Sequence, residues 1–287
     1  MNTNETAEQA EPFFGEKLYH QRARAALPLL VRQAKAQQTI YYGDLAAELD
    51  IPNPRNLNYV LGSVGQTLIH LAGKQLTEIP PIQCLVINQA DELPGEGVGF
   101  FIDKSRFKDM SKRQKRLVVE AQLQKIFSFT EWDSVLANLG LKAVEYNYAP
   151  LLKAAHDAGR GSGGESEHHL KFKEYIASNP QILGLPRSLR YATEYGLPSG
   201  DTIDILFRHG DNWIGVEVKS HISDEADITR GIFQCIKYRA VLEAQLAALA
   251  LPQNVRIVLV LERPFPSKLI PLRNLLGIEV IEQKQQK

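Results

Sequence analysis

With 287 residues and 44% hydrophobic content, the chain can build two domains with substantial cores. Lys+Arg and Asp+Glu balance at 33 each, which excludes nucleic-acid binding by overall charge and leaves phosphate binding to local patches. Cys84 and Cys235 lack metal-ligand spacing, and the longest apolar run, Ile257–Leu261, is far too short for a bilayer, so free buried thiols in a soluble cytoplasmic protein without a membrane partner are expected.

Residues 1–12 are polar and acidic, unlike a signal peptide, and read as a disordered tail. Leu27, Leu29, Leu30 and Val31 sit in a helix ending near Gln37-Gln38, and a β-branched and aromatic stretch, Thr39–Tyr42, follows. Gly43-Asp44 opens a second helix, with Leu45 and Leu49 on one face. Ile51-Pro52-Asn53-Pro54 breaks it, and a third helix carries Leu57, Val60, Leu61, Val64, Leu68 and Leu71 at helical spacing. Residues 79–88 read as a turn into a strand. Two helices joined by a short turn, then a strand and a Gly-rich loop, suggest a mainly α, winged helix-turn-helix-like arrangement.

Residues from about 39 to 101 resemble the DNA-binding domain of the alkylguanine-DNA alkyltransferases and alkyltransferase-like proteins. The shared pattern is Thr39–Tyr42, Asp44-Leu45-Ala46, Ile51-Pro52 with Arg55, Val60-Leu61-Gly62, Ile79-Pro80-Pro81 and Leu93-Pro94-Gly95-Glu96-Gly97. The Pro-Cys-His-Arg acceptor motif is absent, and Cys84 has no adjacent histidine to activate it, so alkyl transfer is not expected. The resemblance implies that Arg55, Asn56, Asn58 and Tyr59 face duplex DNA; the alternative is a solvated helix end.

Basic residues crowd positions 104–116, among them Lys112, Arg113 and Arg116, with Asp109 as the one acid. Such a cluster contacts phosphates or is simply a solvated helix face. Helical periodicity continues to about Leu139. The Gly/Ser-rich stretch 157–164 is the clearest linker and marks the boundary between an N-terminal domain, 13–156, and a C-terminal domain, 165–287.

In the C-terminal domain a helix from about Glu165 to Ser178 stops before Asn179-Pro180. A strand around 190–194 precedes two apolar runs, 202–207 and 213–219, separated by the hairpin-like Arg208-His209-Gly210-Asp211-Asn212. A long helix from about Ile228 to Leu249 and strands at 256–262 and 278–281 complete an α/β domain with a central mixed sheet flanked by helices. Glu217 and Lys219 share one strand face, and the hairpin brings Asp204 near them. Two carboxylates beside a lysine suggest an oxygen-ligand site for a hard divalent cation, with the lysine orienting water or stabilising charge on a phosphate. A solvated strand edge is the bland alternative. His168, His169 and His221 lack the spacing of a transition-metal site, and Asp201 reads as a turn residue.

This pattern, over about residues 161–285, resembles the PD-(D/E)xK nuclease superfamily, a restriction-endonuclease-like fold. The motifs are Ser199–Asp204, Val216-Glu217-Val218-Lys219, and Gln234 with Tyr238, the last pair as in the RecB-like branch. The layout of Asn179-Pro180, Glu194, Asp204, Glu217, Lys219 and Gln234 is also similar to NucS-type DNA endonucleases. The resemblance implies Asp204, Glu217 and the Val218 carbonyl as ligands of Mg²⁺ or Mn²⁺, Lys219 positioning the attacking water, Gln234 near the site, and Tyr238 supporting it or touching DNA. It also implies an acid from the first helix. Glu165 falls within about 20° of Phe172 and Ile176 on that helix and is chosen over Glu167.

The expected function is a metal-dependent DNA endonuclease acting by in-line attack of water, held to double-stranded DNA by the N-terminal domain, in phage defence, restriction or repair. The alternatives are a non-catalytic DNA-binding or regulatory protein with a vestigial nuclease fold, and an alkyl-lesion sensor. Two cuts on a duplex favour a homodimer, although no residue proves one.

Overall fold

The computed structural model describes residues 3–75, 78–102, 106–158 and 166–283. Two compact units divide at Tyr146/Asn147.

In the first unit, α1 (Thr3–Gln9), α2 (Leu18–Lys35), β1 (Ile40–Tyr41), α3 (Tyr42–Glu48), α4 (Leu57–Gln75), β2 (Val86–Ile87), α5 (Gly99–Ile102), α6 (Lys112–Ser128) and α7 (Trp132–Asn138) follow in order. The expected disordered tail is corrected here: α1 is a helix, and Ala7 and Ala10 are buried beside α4. Small residues make that close packing possible. A Cβ on Gly62 of α4 would lie 2.8 Å from the Ala10 methyl. Leu27, Leu30 and Val31 of α2 join Leu57, Val60 and Val64 of α4 and Trp132 of α7 in one core. Arg32 and Glu48 tie α2 to α3 by a buried pair at 2.7 Å. The three helices expected around Ile51–Asn56 are present as α2, α3 and α4. The two strands of the unit are two residues long and pair in parallel, Ile40 with Val86 and Tyr41 with Ile87.

The second unit contains α8 (Ala149–Ala158), α9 (Glu167–Ser178), β3 (Tyr191–Gly196), β4 (Thr202–His209), β5 (Asn212–Lys219), α10 (Glu225–Ala248), β6 (Asn254–Leu261), α11 (Ile270–Leu276) and β7 (Glu279–Glu282). The division therefore precedes the Gly-rich stretch 157–164 because α8 packs on α10 and belongs with this unit. Residues 159–164 of that stretch lie outside the described residues.

The five strands form one mixed sheet in sequence order, antiparallel from β3 to β5 and parallel from β5 to β7. Alternation sorts the side chains. Ile205, Phe207, Ile214, Val216, Val218, Val258 and Val260 pack with Phe172 and Ile176 of α9 on one face. Burying each of those two α9 side chains is worth roughly 1.5–3 kcal/mol. Alternate residues of β5 and β6, including Glu217, Lys219 and Leu259, meet α10 on the other face, where Ile228, Ile232, Cys235, Leu242 and Leu246 form a buried stripe. Gly231 permits that approach: a Cβ there would lie 2.9 Å from Leu259 Cδ1 and 3.0 Å from Lys219 Cε.

Candidate active site

The site is built where β4 and β5 stop pairing. Their ladder runs from His209↔Asn212 to Ile205↔Val216, and beyond it Asp204 Oδ2, rather than backbone, accepts the Val218 N–H at 2.7 Å. Across the next strand, Glu194 has the left-handed φ of +51°, unusual for a residue with a side chain. Strand alternation is interrupted here as well: Ile205 enters the core under α9, whereas Ile203 Cδ1 lies 3.5 Å from where a Gly215 Cβ would sit. The distortion turns Asp204 and Glu194 into a cleft of about 600 Å³, also lined by His169, Glu217, Lys219, Asp227 and Gln234.

Glu217 and Lys219 are each only 3% exposed, so the solvated strand-edge alternative is excluded. The Lys219 ammonium is 3.0 Å from Glu217 Oε1 and 3.1 Å from Asp227 Oδ1. Burial, with the Asp204 charge second, pushes Glu217 up to about 7. Burial pulls Lys219 down, but Glu217 and Asp227 outweigh it and leave its pKa raised. Asp227 also loses by burial, yet Lys219 and a hydrogen bond from Ser223 hold it below the usual carboxylate range. Lys219, shared by two acids, is the fixed charge, and Glu217 is the group whose ionisation is in play. His169 Nε2 lies 3.7 Å from Asp204 Oδ1, and on the next turn the buried Lys173 pairs with Glu194.

Gln234 donates to the Tyr238 hydroxyl at 2.9 Å, while its carbonyl oxygen is buried with no hydrogen-bond partner among the described residues. Tyr238 is 2% exposed, so of its two expected roles the buried ring is placed to support Gln234 and not to touch DNA. Glu165 lies outside the described residues; its rival Glu167 is exposed and paired with Lys171. Asp201 is the expected turn residue, paired with Lys237 and Ser199. His168 and His221 meet edge-on with ring centroids 4.8 Å apart, and His221 pairs with Glu262.

Apolar periodicity does not single out Asp227, because it starts α10 at Ile228, whereas the helix begins at Glu225. Its signal is Ser223-Asp224, an N-cap pair: the Asp224 side chain accepts the Asp227 N–H at 2.8 Å. Lys173 was also legible, since His169, Phe172, Lys173 and Ile176 follow the i, i+3, i+4, i+7 stripe.

The donor set suits a hard divalent cation. Asp204 and Glu217 face one cleft, Glu217 resists ionisation without a compensating charge, and Gln234 Oε1, on the wall, is an acceptor with no partner among the described residues. Among the described residues no group of three or more His, Cys, Asp or Glu is arranged to hold a metal. Asp204 and Glu217 could serve as two carboxylate ligands, a mode in which Mg²⁺ keeps waters and takes substrate phosphate oxygens.

In the first unit, Arg55, Asn56 and Tyr59 are exposed and Asn58 is half-buried at the start of α4, with the Tyr59 ring 5.6 Å from Tyr19. Lys112, Arg113 and Arg116 are exposed on the first turns of α6, and Lys115 pairs with Glu96. No helix of the described residues is long and apolar enough to cross a membrane.

No protein-family model and no curated protein matches the chain. Among solved structures it is similar to a repair endonuclease from Pyrococcus abyssi, with 20% identity over 44% of this chain and 50% of that chain and a TM-score of 0.32. It is also similar to an EndoMS–double-stranded DNA complex, with 19% identity over 51% of each chain and a TM-score of 0.30. The chain spans about half the length of each, and at those scores the likeness decides nothing about the site.

Proposed function

We propose that the chain is a metal-dependent endonuclease that hydrolyses DNA phosphodiester bonds in the cleft of its second unit. One observation carries the reading: Asp204, Glu217 and Lys219 converge on one cleft, two of them almost wholly buried, at the point where the sheet is distorted to admit them. Buried charge costs several kcal/mol per ion unless paired, and a third carboxylate beside an existing ion pair is an expensive arrangement for structure alone.

Asp204, Glu217 and the Val218 carbonyl would hold Mg²⁺ or Mn²⁺. When bound, the cation would supply charge neutralisation at the scissile phosphate and a more acidic water. Lys219 then offers a fixed ammonium to the developing charge on the phosphoryl oxygens, and Asp227 keeps that ammonium in place. Gln234, anchored through Tyr238, presents its free carbonyl oxygen to orient water. In the first unit, Arg55, Asn56, Asn58 and Tyr59, with Lys112, Arg113 and Arg116, would bind duplex DNA in a winged-helix-like manner, the phosphate contacts giving affinity rather than sequence choice.

A plasmid-cleavage assay tests the reading. Asp204→Asn, which keeps an acceptor for the Val218 N–H, should lower the Mg²⁺-dependent rate by at least about a hundredfold while the fold persists. Cleavage that survives both EDTA and Asp204→Asn rules the site out. The second reading, a non-catalytic DNA-binding protein, is favoured by the ion pairs that Lys219 already makes with Glu217 and Asp227; it predicts duplex binding with no cleavage under any divalent cation.

A further inference from the structure

On the face of the sheet that carries Glu217 and Lys219, the β3–β4 end forms a second groove of about 780 Å³, lined by Arg190, Ala192, Tyr195, Leu206, Arg208 and His209 among others. Its chemistry is unlike that of the cleft. No Asp or Glu lines it, and neither Arg190 nor Arg208 has a carboxylate partner among the described residues. The Arg208 guanidinium lies 3.9 Å over the Trp213 ring and 5.9 Å from the Tyr195 ring, and Tyr195 and Trp213 meet edge-on at 6.2 Å. The result is an exposed cationic plane backed by an indole, with a half-buried tyrosine beside it and Ala192 leaving room above the sheet. A guanidinium within 3.9 Å of an aromatic ring centroid can also take a nucleobase on its planar, delocalised face, and its charge, without a carboxylate partner among the described residues, attracts phosphate.

Register ties this groove to the cleft. Arg208 pairs with Trp213, and Trp213, Gly215, Glu217 and Lys219 are alternate residues of β5, so all face the same side. Trp213 precedes Glu217 by four residues, or about 13 Å along the strand at about 3.3 Å per residue. Tyr195 is the residue after Glu194, which lines the cleft.

We propose that the groove lined by Tyr195 and Arg208, with Trp213 buried behind the guanidinium, binds a single-stranded nucleic-acid segment by base stacking, so that the substrate of the neighbouring cleft contains an unpaired stretch. The inference rests on the nuclease reading and names the substrate class of that site.

The test uses the full chain in EDTA and follows fluorescence anisotropy of a labelled oligothymidylate, an abasic oligomer of equal length and a duplex. The wild type should bind oligothymidylate about tenfold more tightly than the abasic strand, since stacking is lost without bases. Arg208→Ala and Tyr195→Ala should erase that preference, and Arg208→Lys, which keeps the charge but not the plane, should erase most of it while leaving circular dichroism unchanged. Equal wild-type binding to the two strands, or a preference that survives Arg208→Lys, overturns the groove. So does a loss in Arg208→Lys confined to duplex. Cleavage is scored separately on the wild type with Mg²⁺: base-dependent binding without cleavage keeps the groove and removes the nuclease reading, and cleavage with base-independent binding does the reverse.

Discussion

Glu217 sets the pH behaviour of the site. Its folded-state pKa stands at about 7 against an ordinary 4.5 because burial and Asp204 disfavour its charge. The folded protein thus holds the proton more tightly than the unfolded chain. The contribution is fully favourable below about pH 4.5 and is lost as pH rises to about 7, the opposite of an ordinary salt-bridged carboxylate. In EDTA the melting temperature should therefore decline across that window more steeply for wild type than for Glu217→Gln. A cation that binds the ionised form should stabilise the protein more at pH 8 than at pH 5.5, because binding displaces the proton. Equal Mg²⁺-induced shifts at both pH values would show that Glu217 is not a ligand. Tyr238 gives a cleaner single-residue test. Tyr238→Phe strands the Gln234 amide in a buried position and should cost about 1–2 kcal/mol, with DNA affinity unchanged because the ring is buried. A fall in affinity at constant stability would restore it as a DNA contact.

At the α10–β5 contact an element, rather than a side chain, sets the position of the Lys219 ammonium. Gly231→Ala gains about 1 kcal/mol of helix propensity. The added methyl meets Leu259 and the Lys219 stem, at an overpacking cost of typically 1–3 kcal/mol. We expect a net loss near 1 kcal/mol in thermal or urea unfolding, together with slower cleavage as the ammonium is displaced. Unchanged turnover would mean that the Lys219 position is not critical. The same contact shows what sequence could and could not give. The β4–β5 hairpin, the shared face of Glu217 and Lys219 and the mixed sheet were legible because strand period and a Gly-containing turn are local signals. The start of α10 was placed three residues late, which hid Asp227, because helix ends are set by caps rather than by apolar periodicity. The break in alternation at Asp204 left no local trace, since it arises from side chain replacing backbone across two strands. In the other unit α1 escaped notice because alanines facing Gly62, not large apolar residues, bury it.

At the scale of the whole molecule, the balance of 33 basic and 33 acidic residues makes any long-range attraction to DNA weak, so the proposed affinity would have to come from local clusters. In the first unit the exposed cluster is Lys112, Arg113 and Arg116 on α6, whose neighbour Lys115 is already engaged by Glu96. Each phosphate that such a residue neutralises releases a counterion and steepens the salt dependence, by about 0.9 in the logarithmic slope for duplex DNA. If all three touch phosphates, Lys112→Gln/Arg113→Gln/Arg116→Gln should flatten the slope for duplex binding by about 2.7 and weaken binding uniformly across sequences. The proposed cleft chemistry lies in the other unit, so at saturating DNA the cleavage rate of this triple variant should match wild type while its KM rises. A variant with an unaltered slope would make α6 an ordinary solvated helix face, and the search for the duplex contact would move to Arg55 and Asn56 at the head of α4.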